Sequence, residues 1–354
     1  VRVAAFTASK TYASARFRVR QHVPLLKSLG VDVREFIAPI YKHWDPGIDN
    51  HHFLPLIRYA RPLALLPSVM ASHLHSVSWI QREFIWSRDT LERFTARPRI
   101  FDVDDAIWLE RPGAAENIAR LAERMDVIVA GNRIIAEWFG KHAHDVRIVH
   151  TAIDTSRFTP GEPKPGAPYT LVWTGQEVTL RHLYTIEDAL ARFLSLHPRA
   201  DLVVVADARP RFRRLAADRV RFVPWSEQTE VEALRGAQIG IMPLIEDEHS
   251  RAKCSFKMLQ YMACGLPVVV TPIGLNADIL QMGNVGLGAS TPDEWLRAFE
   301  RIHDDPATAQ AMGTEGRRIA SAHFGHRVIC ARLASIFKDV VDAAPAAETK
   351  VVAS

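Results

Sequence analysis

Short apolar runs alternate along this chain with longer stretches whose apolar residues recur at helical spacing. The two patterns have different causes. A strand covered on both faces is apolar throughout, whereas a helix lying on a sheet is apolar along one stripe. Runs at 1–6, 31–37, 99–103, 127–130 and 146–149 therefore predict strands, and 77–81 is a further short apolar piece. Between them, helices are expected up to about Leu29, over 114–124 and over 133–141, with a further amphipathic stretch at 83–94. Gly30 is the stop signal of the first helix. Strands alternating with helices predict βαβ units and a mainly parallel sheet.

The pattern breaks at 159–168, where four prolines and two glycines fall within ten residues, the composition of a linker. It then restarts. Strands are predicted at 169–174, 201–206, 220–223, 239–242 and 268–271, and helices at 183–197, 227–236, 255–263, 293–303, 306–321 and 326–341. The expected organisation is an α/β chain with a first domain at 1–158, a linker at 159–168 and a second domain at 169–325. The helix at 326–341 is expected to pack back on the first domain, with an Ala-rich flexible tail at 342–354. Two doubly wound halves facing each other across a cleft bind ligands outside the carboxyl ends of their strands.

Composition narrows the class. A chain of 354 residues suits two cores, and 48% hydrophobic with 24% charged residues excludes a disordered protein. Three cysteines, Cys254, Cys264 and Cys330, form neither a disulfide framework nor a paired CxxC pattern, so a cytosolic setting is expected. The opening residues carry no secretory leader pattern, and no apolar run is long enough to cross a membrane. The net charge of +4 suits an anionic ligand or an anionic membrane surface. Segment 53–77, apolar with interspersed Arg and His, reads either as a buried helix plus a proline-punctuated loop or as a segment lying at a membrane interface. Peripheral contact with the inner membrane face stays open on that ground. The histidines lack the spacing of a helical metal pair, and no metal ligand set is expected.

The chemistry concentrates at 251–274, RAKCSFKMLQYMACGLPVVVTPIG. This is a basic loop, a helix, a Gly-Leu-Pro turn and an apolar strand. Helix N-termini attract anions through free N–H groups and the helix dipole. Arg251, Lys253 and Lys257 crowd that end. They oppose the dipole unless an anion sits among them. A solvated charge cluster on an ordinary amphipathic helix is the competing reading.

The same segment resembles the donor-binding motif of family-4 glycosyltransferases, which have the GT-B fold. Gln260-Tyr261-Met262-Ala263-Cys264-Gly265-Leu266-Pro267-Val268-Val269 aligns with the end of that motif, and Thr271-Pro272-Ile273-Gly274 continues the likeness. Trp173-Thr174-Gly175 is similar to the family's glycine loop, Val223-Pro224-Trp225 to the loop at the base, and Ile241-Met242-Pro243-Leu244 to the strand before the donor loop. Residues 101–108, with Asp102, Asp104 and Asp105, resemble an acidic signature of one subgroup, and 124–132 with 149–158 resembles the end of the acceptor domain.

The resemblance implies two Rossmann-like domains. It also implies transfer of a sugar from a nucleoside-diphosphate sugar, as co-substrate, to a glycan or lipid-linked acceptor in polysaccharide synthesis. Retention of configuration without a covalent intermediate, and without metal or other cofactor, goes with it. The donor residues it implies are Gly175, Arg181, Pro224, Trp225, Arg251, Lys253, Ser255, Phe256, Lys257 and Gln260. Lys253 and Lys257 meet the leaving phosphates, Trp225 the base and Gln260 the ribose. His182 is an alternative to Arg181 as the cation near the glycine loop. Asp104, at the strand end where many relatives carry a histidine, is assigned with Lys253 and Lys257 to catalysis.

The chain departs from the family at Ala252 and Gln260, where the Glu-x7-Glu motif has its two glutamates. The first of these contacts the sugar in relatives, so sugar recognition here must use other groups. In the first half, Tyr12, Ser14, Arg16, Arg18 and Asp105 are the expected acceptor residues. The aspartate cluster has two further readings, a metal site and a helix cap. A nucleotide-sugar epimerase and a non-catalytic nucleotide-sugar binder remain as rivals. The arginines of 209–221 read as a solvated face, so no nucleic-acid partner is expected.

Overall fold

The computed structural model describes residues 1–10, 13–38, 54–85, 90–162 and 166–343. The chain divides into two compact units, Val1–Thr151 with Ile329–Ser354, and Ala152–Val328. Each is built on a six-stranded sheet, parallel throughout.

The first sheet holds β1 (Arg2–Thr7), β2 (Asp32–Ile37), β3 (Val77–Gln81), β4 (Arg99–Val103), β5 (Val127–Ala130) and β6 (Val146–Ile148) in the order β2-β1-β3-β4-β5-β6. All of β3 and β5 is buried, which accounts for the unbroken apolar run of β5, while β3 also buries the polar Ser78 and Gln81. The last helix, His326–Ala343, adds to this unit through Phe337, whose ring lies 5.1 Å from that of Trp79, and through Asp339, which pairs with Arg147 at 3.1 Å.

The second sheet holds β7 (Tyr169–Thr174), β8 (Ala200–Ala206), β9 (Val220–Pro224), β10 (Ile239–Met242), β11 (Val268–Val270) and β12 (Gly286–Gly288) in the order β12-β11-β10-β7-β8-β9. The cut between units falls at Thr151/Ala152, ahead of the proline-rich stretch. Ile153 and Phe158 explain this, since both are buried in the second unit's core with Val172 and Met262. Ile153 also bridges to Gly325, and the Arg317 guanidinium donates to the carbonyl of Phe158 at 3.0 Å.

Two stretches differ from the sequence pattern. Among the described residues of 83–94 there is one 3-10 turn, Glu92–Phe94. The fully buried Glu92 carboxylate accepts from the amides of Phe84 (2.5 Å) and Thr90 (2.8 Å), which satisfies a loop backbone without a helix. Segment 53–77 contains one helix, Leu54–Ser72, despite its prolines. Leu65 and Val69 point into the unit, whereas Leu63, Leu66, Met70 and the following Leu74 are exposed. No described helix is long and apolar enough to cross a membrane.

Candidate functional site

β7 and β10 are neighbours in the second sheet, and the chain leaves them in opposite directions. Such a switch point opens a crevice at the strands' carboxyl ends. Thr174 ends β7 there, and Gly175 follows. A Cβ on Gly175 would stand 2.4 Å from the Trp173 ring and 2.7 Å from Lys257 Nζ, so only glycine fits.

Lys257 reaches this point because the helix that carries it, Phe256–Ala263, is locked onto the sheet one turn further along. Tyr261 packs its ring against Gly240 so closely that a Cβ there would lie 2.3 Å from it. The Tyr261 hydroxyl accepts from the Thr174 amide at 3.1 Å. Residues four apart share a helix face, so fixing Tyr261 delivers Lys257 to Gly175. Lys257 Nζ lies 4.4 Å from the Trp173 ring centroid and donates to Thr179 Oγ1 at 3.3 Å.

The loop before this helix is tightly held. Asp247 caps the short helix Glu248–Arg251 by accepting from the Ser250 amide at 2.6 Å. The Arg251 carbonyl would lie 2.0 Å from a Cβ on Gly274, whose φ is +53°, so Gly274 is required on both counts. Ser255, buried, has φ +51° and starts the Phe256–Ala263 helix without a side-chain cap. A non-glycine residue in the left-handed region is uncommon and marks stored strain. Here it leads into a helix with no carboxylate in its first turn.

Electrostatics at the cluster are dominated by like charges. Burial first, and then Lys253, push the Lys257 ammonium down to about 7, against the pull of Glu230. Burial and the charges of Lys257, Arg181 and Lys253 push His182 down to about 4. His182 is therefore neutral. Its Nδ1 accepts from the Ile245 amide at 3.0 Å, which leaves the proton on Nε2. A neutral imidazole does not supply the cation that His182 was expected to offer as the alternative to Arg181. Asp247 stays below the usual carboxylate range: burial would raise it, but bonds from Ser250 and the charges of His249 and Arg181 prevail.

The structure thus brings Gly175, Arg181, Lys253 and Lys257 together, with neutral His182 beside them and Thr179 as a neighbour the sequence did not single out. Arg251 is turned to solvent and paired with Glu246. Phe256 packs against the second unit's core. Gln260 is 2% exposed, and its side chain makes no hydrogen bond among the described residues. Ala252 is fully buried. Pro224 is exposed, and Trp225 is 41% exposed beside the end of β8, its amide bonded to the Ala206 carbonyl at 2.9 Å. A cavity of about 550 Å³ lies elsewhere in this unit, lined by Thr170, Arg221, Glu232 and Arg235, away from these cations.

The first unit treats its expected residues differently. Arg18 is a correction. It is 3% exposed, donates to Asp102 at 2.7 Å and to the Val149 carbonyl at 2.7 Å, and so is spent inside the unit. Asp102 takes Trp79 Nε1 on its other oxygen at 3.2 Å. Burial raises the Asp102 carboxyl, with Arg18 opposing. Both Asp102 oxygens thus accept hydrogen bonds inside the unit. Asp104 and Asp105 are half-buried after β4, and Asp105 Oδ1 accepts from the Ala106 amide at 3.0 Å. Ser14 and Arg16 are half-buried on the helix Ala13–Arg18, and Tyr12 lies outside the described residues. The arginines of 209–221 are largely paired or solvated: Arg214 bonds Asp188 at 2.6 Å, and Arg219 the Ala200 carbonyl at 3.1 Å.

Residues 169–305, nearly all of the second unit's sheet and its helices, match the family model "Glycosyl transferases group 1". A GDP-mannose-dependent monoacylated alpha-(1-6)-phosphatidylinositol monomannoside mannosyltransferase of Corynebacterium glutamicum is 24% identical over 261 residues, covering 65% of this chain and 67% of that one. Among solved structures, sucrose-phosphate synthase from Thermosynechococcus elongatus superposes with a TM-score of 0.70 at 15% identity, covering 97% of this chain and all of that one. Anabaena HepE in complex with UDP-glucose gives 0.67 at 14% identity, covering 96% and 99%. The fold is that of the GT-B glycosyltransferases, two Rossmann-like α/β units.

Proposed function

We propose that this glycosyltransferase moves a hexose from a nucleoside-diphosphate sugar to a hydroxyl of a glycan or lipid-linked acceptor, with retention and without a metal ion. One observation carries the reading: Lys253, Lys257 and Arg181 converge at the β7/β10 switch point, beside Gly175 and an uncapped helix start. Mutually repelling cations become favourable once an anion lies among them, and a diphosphate supplies it.

In the reaction the bond from the anomeric carbon to the phosphate oxygen breaks, and negative charge grows on the diphosphate. Lys257, Lys253 and the first helical amides stabilise that charge, which lowers the barrier. The acceptor hydroxyl oxygen bonds to the anomeric carbon from the face the phosphate leaves. Its proton passes to the departing phosphate oxygen. The Gln260 amide holds the ribose, and Trp225 stacks on the base. With side-chain cations meeting the leaving charge, turnover should survive EDTA. Asp104 belongs to the acceptor side in this reading, together with Asp105, Ser14 and Arg16. Attachment to the membrane face by the exposed side of helix Leu54–Ser72 would bring a lipid-linked acceptor within reach.

The test is a panel of nucleotides and nucleotide sugars scored by thermal shift. Ligand binding to the folded state alone stabilises it by mass action, so the true donor stands out. A panel in which no nucleotide shifts the transition would overturn the reading.

A further inference from the structure

The first unit has its own switch point. β1 and β3 are neighbours, and the chain leaves them in opposite directions. At their carboxyl ends is a cavity of about 10 Å³, walled by Phe6, Phe36 and Phe84 and closed by Thr7, Gln81 and Arg82. That space takes one water or one hydroxyl group and nothing larger.

Gln81 is the anomaly in it. The residue is 2% exposed, and neither its Oε1 nor its Nε2 has a hydrogen-bond partner among the described residues. Buried amides almost always find partners, because an unpaired polar group is costly. The Thr7 hydroxyl beside it already donates to Glu35. The backbone next to Gln81 is unusual as well. Arg82 has φ +61°, a left-handed arginine, anchored by its amide on the Asp102 carbonyl at 3.0 Å and by its guanidinium on Glu110. Strain of this kind persists only where surrounding structure enforces it, and it gathers at binding sites. The result is a primary amide presented at the carboxyl edge of a parallel sheet with both halves unused.

The chemistry of the missing partner follows. A carboxylate or phosphate oxygen would satisfy the Nε2 side alone, and an ammonium the Oε1 side alone. A hydroxyl both donates and accepts, and so serves both the Oε1 and the Nε2 of the amide. The small space admits that hydroxyl alone, so the carbon ring bearing it stays outside the phenyl walls. We infer that Gln81 is an acceptor-recognition residue that receives one hydroxyl of a sugar or cyclic polyol at the β1/β3 switch point. The inference rests on the glycosyl-transfer reading, since it supplies that reaction's acceptor.

The experiment compares the full chain with Gln81→Leu, both saturated with the nucleotide diphosphate that shifts the wild type most. Methyl α-mannoside and myo-inositol are then titrated as probes, with thermal shift as readout. The expected result has three parts. The free variant melts no lower than wild type, because it buries no unpaired amide. Its nucleotide shift is unchanged. Its apparent affinity for the responding polyol falls at least tenfold. Gln81→Glu, which keeps the shape and the accepting oxygen, recovers part of that loss and serves as the second variant if the leucine chain does not fold.

A buried structural water on Gln81 predicts the reverse: a lower melting temperature and an unaltered polyol response. Equal polyol responses in wild type and both variants would overturn the inference and leave the donor reading standing. A wild type that responds to no nucleotide would overturn the donor reading itself.

Discussion

Lys257→Met separates the two tasks of the cation cluster. In the free protein Lys257 is a liability. Its ammonium is held at about 7 rather than 10.5, by burial first and by Lys253 second. Every tenfold loss of proton affinity corresponds to about 1.4 kcal/mol, so the ceiling on the penalty for that fall is about 5 kcal/mol. The side chain is only partly buried, and solvent screening cuts this figure severely. The Trp173 ring 4.4 Å away returns about 1 kcal/mol through cation–π attraction. A net penalty of about 2 kcal/mol remains after that screening.

The sign follows from proton counting. Below pH 7 the lysine is charged both folded and unfolded, and the whole penalty applies. Between 7 and 10.5 the folded chain has shed the proton while the unfolded chain keeps it, so stability rises with pH. Methionine removes the penalty at every pH. The free variant at pH 6 should therefore melt higher than wild type, on the order of 5 °C for a unit of this size. The advantage should shrink steadily towards pH 10. With a saturating nucleoside diphosphate the order reverses, because the wild type gains the ion pair and the variant does not. Scanning calorimetry at pH 6 and pH 9.5, with and without nucleotide, measures all four states. A free variant that melts lower than wild type, or one whose nucleotide response is intact, would refute the reasoning.

Three further outcomes are expected. Burial raises Glu92 from 4.5 to about 7, so the folded chain holds that proton longer than the unfolded one and stability should fall as pH rises through this window, by roughly 3 kcal/mol. Glu92→Gln should flatten that slope in urea titrations at pH 5 and pH 8; an unchanged slope would show that another group causes it. Arg18→Met strands the buried Asp102 carboxylate and should cost about 3–5 kcal/mol in urea unfolding, most of which Arg18→Met with Asp102→Leu recovers. A single variant within about 1 kcal/mol of wild type, on the order of an exposed pair, would contradict the burial. Trp225→Ala should leave the melting temperature in place and weaken nucleotide binding about tenfold, since one aromatic–base stack contributes about 1–3 kcal/mol; equal affinities by calorimetric titration would remove Trp225 from the site.

Much of the fold was legible because its strands are buried on both faces. Arg99–Val103, Tyr169–Thr174 and Ile239–Met242 coincide with the strands their runs predict, and Val77–Gln81 turns the short apolar piece into a strand. β12 was not legible. Gly286–Gly288 carries one apolar side chain, and what makes it a strand is the approach of its backbone to Val268, where a Cβ on Gly286 would lie 2.0 Å from the carbonyl. Of the site, the segment 251–265 was legible as a basic helix start. The partners of its cations were not, because Gly175, Thr179 and His182 meet Lys257 through strand order, which local patterning does not encode. Arg18 misled for a related reason. An arginine in a polar loop after the first strand reads as facing a ligand, and only the fold reveals Asp102 as its partner.

The two departures from the family motif and the depressed Lys257 are connected. Residues 252 and 260 are an alanine and a glutamine where the resemblance leads one to expect glutamates. Position 260 lies one helical turn from Lys257, and 252 adjoins Lys253. Carboxylates at both would add two negative charges near the lysines and hold the ammonium groups charged. Without them Lys253 faces Lys257 with Glu230 as the one opposing charge that acts on Lys257 among the described residues. Charge neutralisation then has to come with the ligand. Binding of a diphosphate should draw a proton onto Lys257 above pH 7, and it should depend on salt and pH more steeply than in a chain that keeps both glutamates. Gln260→Glu reverses half of the change. It should weaken nucleotide-diphosphate binding at low salt, flatten its pH dependence and lower the proton uptake seen by calorimetry in buffers of different ionisation enthalpy. Unchanged proton uptake would break the link between the missing glutamates and the lysine.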